Sequence, residues 1–180
     1  LLLGVSATSL FLKMSAQKIK VLNLYCGIGG NRRLWDGVDV TAVDNYAPVL
    51  DVYKKNFADD NVIQADASEY LEANFREFDF IWTSPPCQTH SKMQKATRHK
   101  KRKIPDMSLY GHILFLQHFF KGSWAVENVN SFYRPLIKPT VTLGRHFFWA
   151  SCPIEKKDFE RQENFIYSDS PAAIAHMKSI

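Results

Sequence analysis

The sequence predicts an α/β protein, built on a doubly wound, mostly parallel sheet with helices on both faces. Three observations lead there. From residue 18 onward, short β-branched or aromatic runs alternate with stretches of helical periodicity, the pattern of repeated βα units. The first run opens into a glycine cluster that leads toward a helix. Finally, successive runs end in a glycine turn, an Asp, an Asp, a Pro-Pro-Cys and a Glu. Polar chemistry therefore gathers at the carboxyl ends of the strands, where open α/β sheets bind their ligands.

The elements follow in order. Residues 18–24 (KIKVLNL) form a β-branched apolar strand, stopped by Gly27, Gly29 and Gly30. A short helix through Leu34 and Trp35 comes next. Residues 38–43 (VDVTAV) make a second strand ending on Asp44, and 46–57 carry apolar residues at helical spacing. Residues 62–65 are a short strand closing on Asp66, and 67–75 a helix. Residues 78–83 (FDFIWT) are a fourth strand, cut off by Pro85 and Pro86, which cannot continue a ladder. About twenty polar and basic residues without periodicity follow, too long for an ordinary connection and therefore read as a functional loop. Helical spacing resumes over 107–121, a fifth strand over 124–126 ends on Glu127, and 146–150 (HFFWA) is an aromatic strand.

At 180 residues, 46% hydrophobic and 23% charged, the chain reads as one globular domain rather than a disordered or membrane protein. A net charge of +5 suits a polyanionic partner. Leu1 to Leu12 is apolar but lacks a basic flank and is too short to span a bilayer, so no membrane attachment is expected. Cys26, Cys87 and Cys152 are odd in number and widely spaced, which suits neither a disulfide framework nor a zinc site. No metal and a reducing cytoplasmic compartment are expected, and a thiol without a structural task becomes a candidate nucleophile.

Four segments carry the candidate chemistry. Tyr25-Cys26-Gly27-Ile28-Gly29-Gly30 follows a strand, and its glycines let the backbone approach a ligand closely. It lacks the spacing of a dinucleotide fingerprint and the Lys-Ser/Thr of a phosphate-binding loop, so a nucleoside ligand without pyrophosphate fits better. Asp44 is placed to bind ribose hydroxyls and Asp66 to meet an adenine amino group, although either also reads as a helix N-cap. In Thr83-Ser84-Pro85-Pro86-Cys87-Gln88 the cysteine stands on a stiff pedestal at a strand end. Ala125-Val126-Glu127-Asn128-Val129 puts a carboxylate at the next strand end, where it can hold a proton against a ring nitrogen.

Taken in order, YCGIGG, Asp44, Asp66, SPPCQ and ENV resemble the ordered motifs of the DNA (cytosine-5) methyltransferases, of the restriction-modification and phage type. Leu143-Gly144-Arg145-His146-Phe147-Phe148 resembles their later arginine motif, and the likeness covers roughly residues 18–150. It implies a Rossmann-like fold that uses S-adenosylmethionine as cofactor and double-stranded DNA as partner. Cys87 would attack C6 of a flipped-out cytosine, Glu127 would contact N3 and the exocyclic amine, and Arg145 would hydrogen-bond O2. Tyr25, Gly27, Ile28, Gly29 and Gly30 would line the methionine end of the cofactor, with Asp44 and Asn45 at the ribose and Asp66 and Ala67 at the adenine. Gln88, Ser91, Lys92, Lys95, Arg98, Lys100, Lys101, Arg102 and Lys103 would contact the nucleic acid. Two positions depart from the family: Leu143 stands where a second arginine is usual, and Asn45 where an aromatic often stacks on adenine.

The domain reading that follows is a non-native leader over 1–13 ahead of Met14, a catalytic domain over 14–152, and a polar linker over 153–180. That linker would lead toward a target-recognition region supplied by an absent segment or a partner chain. A tRNA cytosine-5 methyltransferase on the same scaffold is the alternative enzyme, and an inactive nucleic-acid-binding subunit the alternative outside catalysis. An amino-methyltransferase would place an aromatic residue after Pro-Pro, where this chain has Cys87-Gln88.

Overall fold

A computed structural model describes residues 18–92 and 103–155. The expected leader at 1–13, the linker beyond residue 155, and Lys95, Arg98, Lys100, Lys101 and Arg102 lie outside the described residues.

The described residues form a seven-stranded sheet in the order β3-β2-β1-β4-β5-β7-β6. β1 (Ile19–Leu24), β2 (Val38–Asp44), β3 (Asn61–Gln64), β4 (Phe80–Thr83) and β5 (Ser123–Val129) run parallel. β7 (His146–Ala150) lies antiparallel to both β5 and β6 (Val141–Leu143). The chain winds outward from β1 to β2 and β3, returns to lay β4 on the free side of β1, and continues to β5. That is the expected doubly wound, mostly parallel, Rossmann-like fold, with its reversal between β1 and β4.

Three helices are described: α1 (Ala47–Asn56), α2 (Ala67–Asn74) and α3 (Ser108–Phe119). Helices cover both faces because the strands alternate apolar side chains to both. Leu22, Leu24, Ile81, Val126 and Trp149 pack with Leu71 of α2 and with Leu109, Ile113 and Leu116 of α3. On the opposite face Cys26 and Ala42 pack with Leu50 and Tyr53 of α1. Pro48 lies in the first turn of α1, where a missing N–H removes no helical bond. The carboxylate of Asp66 caps α2 by accepting from the Ser68 and Glu69 amides.

Three details differ from the sequence reading. The helix expected through Leu34 is a four-residue 3-10 turn, Asn31–Leu34, with Leu34 90% exposed. Polar contacts rather than an apolar face hold this turn. Arg32 grips Asp60 with Nε at 2.8 Å and Nη2 at 3.0 Å, and Tyr53 donates its hydroxyl to Asp60 at 2.8 Å. The Asn31 and Asn23 amides bond each other reciprocally at 2.8 and 3.3 Å. The second difference is that β5 does not stop before Glu127 but runs to Val129. β7 pairs alongside it there, with Glu127 opposite Phe148 and Asn128 opposite Phe147. The third is β6, which has only three residues and no periodicity to mark it.

The Asp60 carboxylate is 5% exposed and bonds both the guanidinium and a phenol. Asp60→Ala leaves the Arg32 charge without its counter-ion, and should lower the unfolding free energy by about 3 kcal/mol in a urea titration. Tyr53→Phe removes one neutral donor and should cost about 1 kcal/mol. Equal losses for the two variants would show that the ion pair does not anchor the turn.

Candidate active site at the carboxyl edge of the sheet

The pairing register explains how the candidate residues come together. Ile63, Val43, Leu24, Thr83 and Val126 are successive register partners across β3, β2, β1, β4 and β5. Asp44, Tyr25, Ser84 and Glu127 each follow a member of that row by one residue, and Asp66 follows by three. Adjacent strands lie about 4.8 Å apart, so the strand ends form a single ledge.

Tyr25 leaves β1 at φ 54°, a left-handed conformation that costs a non-glycine residue about 1–2 kcal/mol. Its ring lies 5.6 Å from that of His112, and its hydroxyl is 3.4 Å from Ser68 Oγ. Gly29 follows at φ 86°, and a Cβ there would lie 2.3 Å from the Phe57 ring, so both backbone and packing require glycine. The turn closes through the Cys26 amide on the Val43 carbonyl (3.1 Å) and the Gly29 amide on the Cys26 carbonyl (2.9 Å). Burial pushes the Cys26 thiol up to about 12, helped by the Asp44 carboxylate, so Cys26 is a packing residue here rather than a thiolate. Ile28 and Gly30 are exposed at the rim.

Asp44 spans two segments. Its Oδ2 accepts from the Gly27 amide at 3.1 Å and its Oδ1 from the Tyr46 amide at 3.0 Å. The carboxylate thus fixes the glycine turn against the end of β2. Exposed Asn45 follows, its carbonyl accepting from Gln64 Nε2 at 3.2 Å. Asp66 Oδ1 accepts from the Ser68 and Glu69 amides at 2.9 and 3.0 Å, with Ala67 buried behind it. Capping is therefore a definite task of Asp66, and its side chain is nevertheless at the surface.

On the other side of the reversal, the Ser84 amide donates to the Leu24 carbonyl at 3.3 Å. Asn128, fully packed in β5, donates its amide to the Pro85 carbonyl at 2.8 Å and so grips the Pro-Pro pedestal. Cys87 is half-buried, and its carbonyl accepts from the amides of His90 and Ser91, each at 3.0 Å. His90 is sunk beneath that turn, with Nδ1 2.6 Å from the Tyr133 hydroxyl. Tyr110 donates to the same phenol at 3.1 Å, so the Tyr133 hydroxyl is left to donate to His90. Burial lowers the pKa of His90, consistent with its accepting there as a neutral ring. Gln88 is exposed beside the turn, and Ser91 bridges to Ser131.

Glu127 is half-buried in β5, with Oε1 3.6 Å from His146 Nε2. Arg145 occupies the turn between β6 and β7, exposed, and its carbonyl accepts from the Asn130 amide at 2.8 Å. Glu127 therefore lies two residues before the end of β5, and Arg145 immediately precedes β7, the strand paired with it. Lys92 and Lys103 are exposed at the two sides of the basic stretch. Ser68, His90, His112 and Tyr133 escape a sequence reading, because a polar residue at a core position has no pattern of its own. Among the described residues no cluster of His, Cys, Asp and Glu could hold a metal, and no helix is long and apolar enough to cross a membrane.

Comparison with known proteins puts this ledge in a family. Three curated proteins are similar to parts of the chain. A malonyl-[acyl-carrier protein] O-methyltransferase of Enterobacter lignolyticus is 31% identical over 102 residues, 55% of this chain and 40% of that protein. A tRNA (cytosine(38)-C(5))-methyltransferase of Spodoptera frugiperda is 35% identical over 83 residues, 42% of this chain and 25% of that protein. The type II methyltransferase M1.BsuMI of Bacillus subtilis is 24% identical over 142 residues, 65% of this chain and 33% of that protein. The chain thus spans between 25% and 40% of the length of these relatives. Residues 19–129, from the first residue of β1 to the last of β5, match the C-5 cytosine-specific DNA methylases, and the chain belongs to that family.

Proposed function

We propose that the chain is the catalytic portion of an S-adenosylmethionine-dependent DNA (cytosine-5) methyltransferase in which Cys87 is the nucleophile. The observation that carries this reading is the juxtaposition across β1 and β4. The Tyr25–Gly30 turn and the Pro-Pro-Cys turn leave register-paired residues, Leu24 and Thr83, on neighbouring strands. A methyl donor held by the first turn and a base held over the second would meet at that boundary.

The residues present fit such a donor. A Cβ at Gly27 or Gly30 would meet nothing within 4 Å, so the glycine turn borders open space into which a ligand can come close to the backbone. When bound, S-adenosylmethionine supplies an electrophilic methyl group. Tyr25, Gly27, Ile28, Gly29 and Gly30 would border its methionine end, Asp44 with Asn45 would meet the ribose, and Asp66 with Ala67 the adenine. Each Asp44 oxygen accepts one backbone bond and keeps capacity for a second donor.

The base side follows from the weakness of cytosine C5 as a nucleophile. Addition of the Cys87 sulfur at C6 makes the ring enamine-like and moves electron density to C5. Glu127 would hold a proton at N3 and Arg145 would steady charge at O2, which lowers the cost of that addition. With the methyl group transferred to C5, loss of the C5 proton would re-form the C5–C6 double bond and expel the Cys87 sulfur. This chemistry needs a free thiol and so a reducing, cytoplasmic setting. Double-stranded DNA is the proposed partner, with the basic stretch from Lys92 to Lys103 and Gln88 and Ser91 beside the nucleophile. Selection of the target sequence would fall to a further segment or a partner chain. The similarity to the Spodoptera enzyme favours a second reading, in which the same cysteine chemistry acts on tRNA.

Trapping on 5-fluorocytosine tests the mechanism, because fluorine at C5 blocks the proton loss that frees the enzyme. Supplied with S-adenosylmethionine, the full chain should form a covalent adduct with a substituted DNA duplex, Cys87→Ala none, and both should bind the duplex alike. Glu127→Gln should slow adduct formation without abolishing it. An adduct that persists in Cys87→Ala would overturn the mechanism, and one formed only with RNA would favour the tRNA reading. Asp44→Ala should weaken S-adenosylhomocysteine binding by about 1–3 kcal/mol in calorimetry; unchanged affinity would remove Asp44 from the cofactor site.

A further inference from the structure

His112 lies on the buried face of α3, 5% exposed, among Leu109, Ile113 and Leu116. An imidazole in such a place is costly unless both nitrogens find partners. Both do. Nε2 is 2.9 Å from Ser68 Oγ and Nδ1 is 3.1 Å from Thr83 Oγ1. Ser68 belongs to the first turn of α2, two residues after Asp66, and its hydroxyl is 3.4 Å from that of Tyr25. Thr83 is the last residue of β4 and is itself fully buried. One ring thereby joins the Asp66–Ser68 turn, the left-handed Tyr25 and the strand end that leads to Cys87.

We propose that His112 is a positioning residue of this site, whose imidazole bridge between Ser68 and Thr83 holds the cofactor-side turns in register with the nucleophile-bearing strand end. The inference rests on the cofactor reading above. The sheet alone does not supply this constraint, because its ladder fixes Leu24 against Thr83 but includes neither Tyr25 nor α2. Neutral imidazole offers one donor and one acceptor, so the hydrogen-bond chain Tyr25–Ser68–His112–Thr83 can run in one consistent direction.

Burial pulls the His112 pKa down to about 4, against the opposing carboxylates of Asp66 and Asp106. The groups facing it are those two carboxylates, the Tyr25 phenol and the Ser68 and Thr83 hydroxyls. Between an unfolded value of about 6.5 and that folded value, the unfolded chain binds more protons, so stability is lost as pH falls through this window. The folding equilibrium should weaken on the order of tenfold to a hundredfold between pH 6.5 and 4.5. His112→Gln, which keeps a donor and an acceptor, should lose that His112-dependent slope.

The deciding experiment is a double-mutant cycle on the full chain with S-adenosylhomocysteine as probe. Thr83→Val and Ser68→Ala should each weaken binding roughly tenfold, and the double variant little more than either alone, as coupled sites do. His112→Phe should reproduce the double variant, and His112→Gln should recover most of the affinity. Effects that multiply, or a His112→Phe protein that melts lower but binds normally, would overturn the proposal and leave His112 a core residue. Should the unaltered chain not bind S-adenosylhomocysteine, the cofactor reading fails. The same Ser68/Thr83 cycle, followed by urea unfolding, then decides whether His112 couples the two segments: non-additive losses support it and additive losses overturn it.

Discussion

At the centre of the sheet β1 and β4 lie side by side and parallel, although two further strands separate them in the chain. Each parallel connection must cross over the sheet, and on either side of this pair the crossings proceed in opposite directions. The chain leaving β1 leads to β2 and the chain leaving β4 leads to β5, so among the described residues no connection joins the two strand ends across the gap. Everything else at the site depends on that gap. Asp44 closes it on one flank by holding the Gly27 amide, and Asn128 closes it on the other by holding the Pro85 carbonyl.

These two bonds belong to a wider pattern, in which buried polar groups join a loop to the frame. Asn23 with Asn31 ties the 3-10 turn to β1, and His112 ties α2 to β4. His90 with Tyr133 and Tyr110 ties the Cys87 turn to α3 and to the segment after β5. The physical reason is the cost of leaving such groups unpaired in an apolar interior. Dispersion tolerates small displacements of a loop, whereas a buried hydrogen bond is lost by an ångström of movement. Polar pairs are therefore suited to fix the relative placement of segments that must act together.

The two halves of the ledge are held with different stiffness. Tyr25 and Asp44 sit on the ends of central parallel strands and Asp66 on a capped helix, with covering helices on both faces. Glu127 and Arg145 depend instead on the antiparallel pairing of β5 with β7 and on the Asn130–Arg145 link across the β6–β7 turn. β6 is three residues long at the edge of the sheet, so the Glu127 and Arg145 side of the ledge rests on a short edge strand.

The sequence by itself determined the class of fold, the order of the parallel strands along the chain, and the identity of the residues at their ends. It did so because those signals are local: β-branched runs in KIKVLNL and VDVTAV, glycines after the first strand, and Pro85-Pro86 after the fourth. The motif residues Cys87 and Glu127 were legible for the same reason, each lying one short step beyond an apolar run. Only the tertiary structure decided which strands are neighbours, since hydrogen-bond ladders pair residues dozens of positions apart. It alone extended β5 through Glu127, because the partner that prolongs the strand is β7, some twenty residues further along the chain. The roles of His112, Ser68 and Asn128 likewise became visible only there. A side chain's polarity is written in its own residue, but whether it is stranded or paired depends on groups that folding brings beside it.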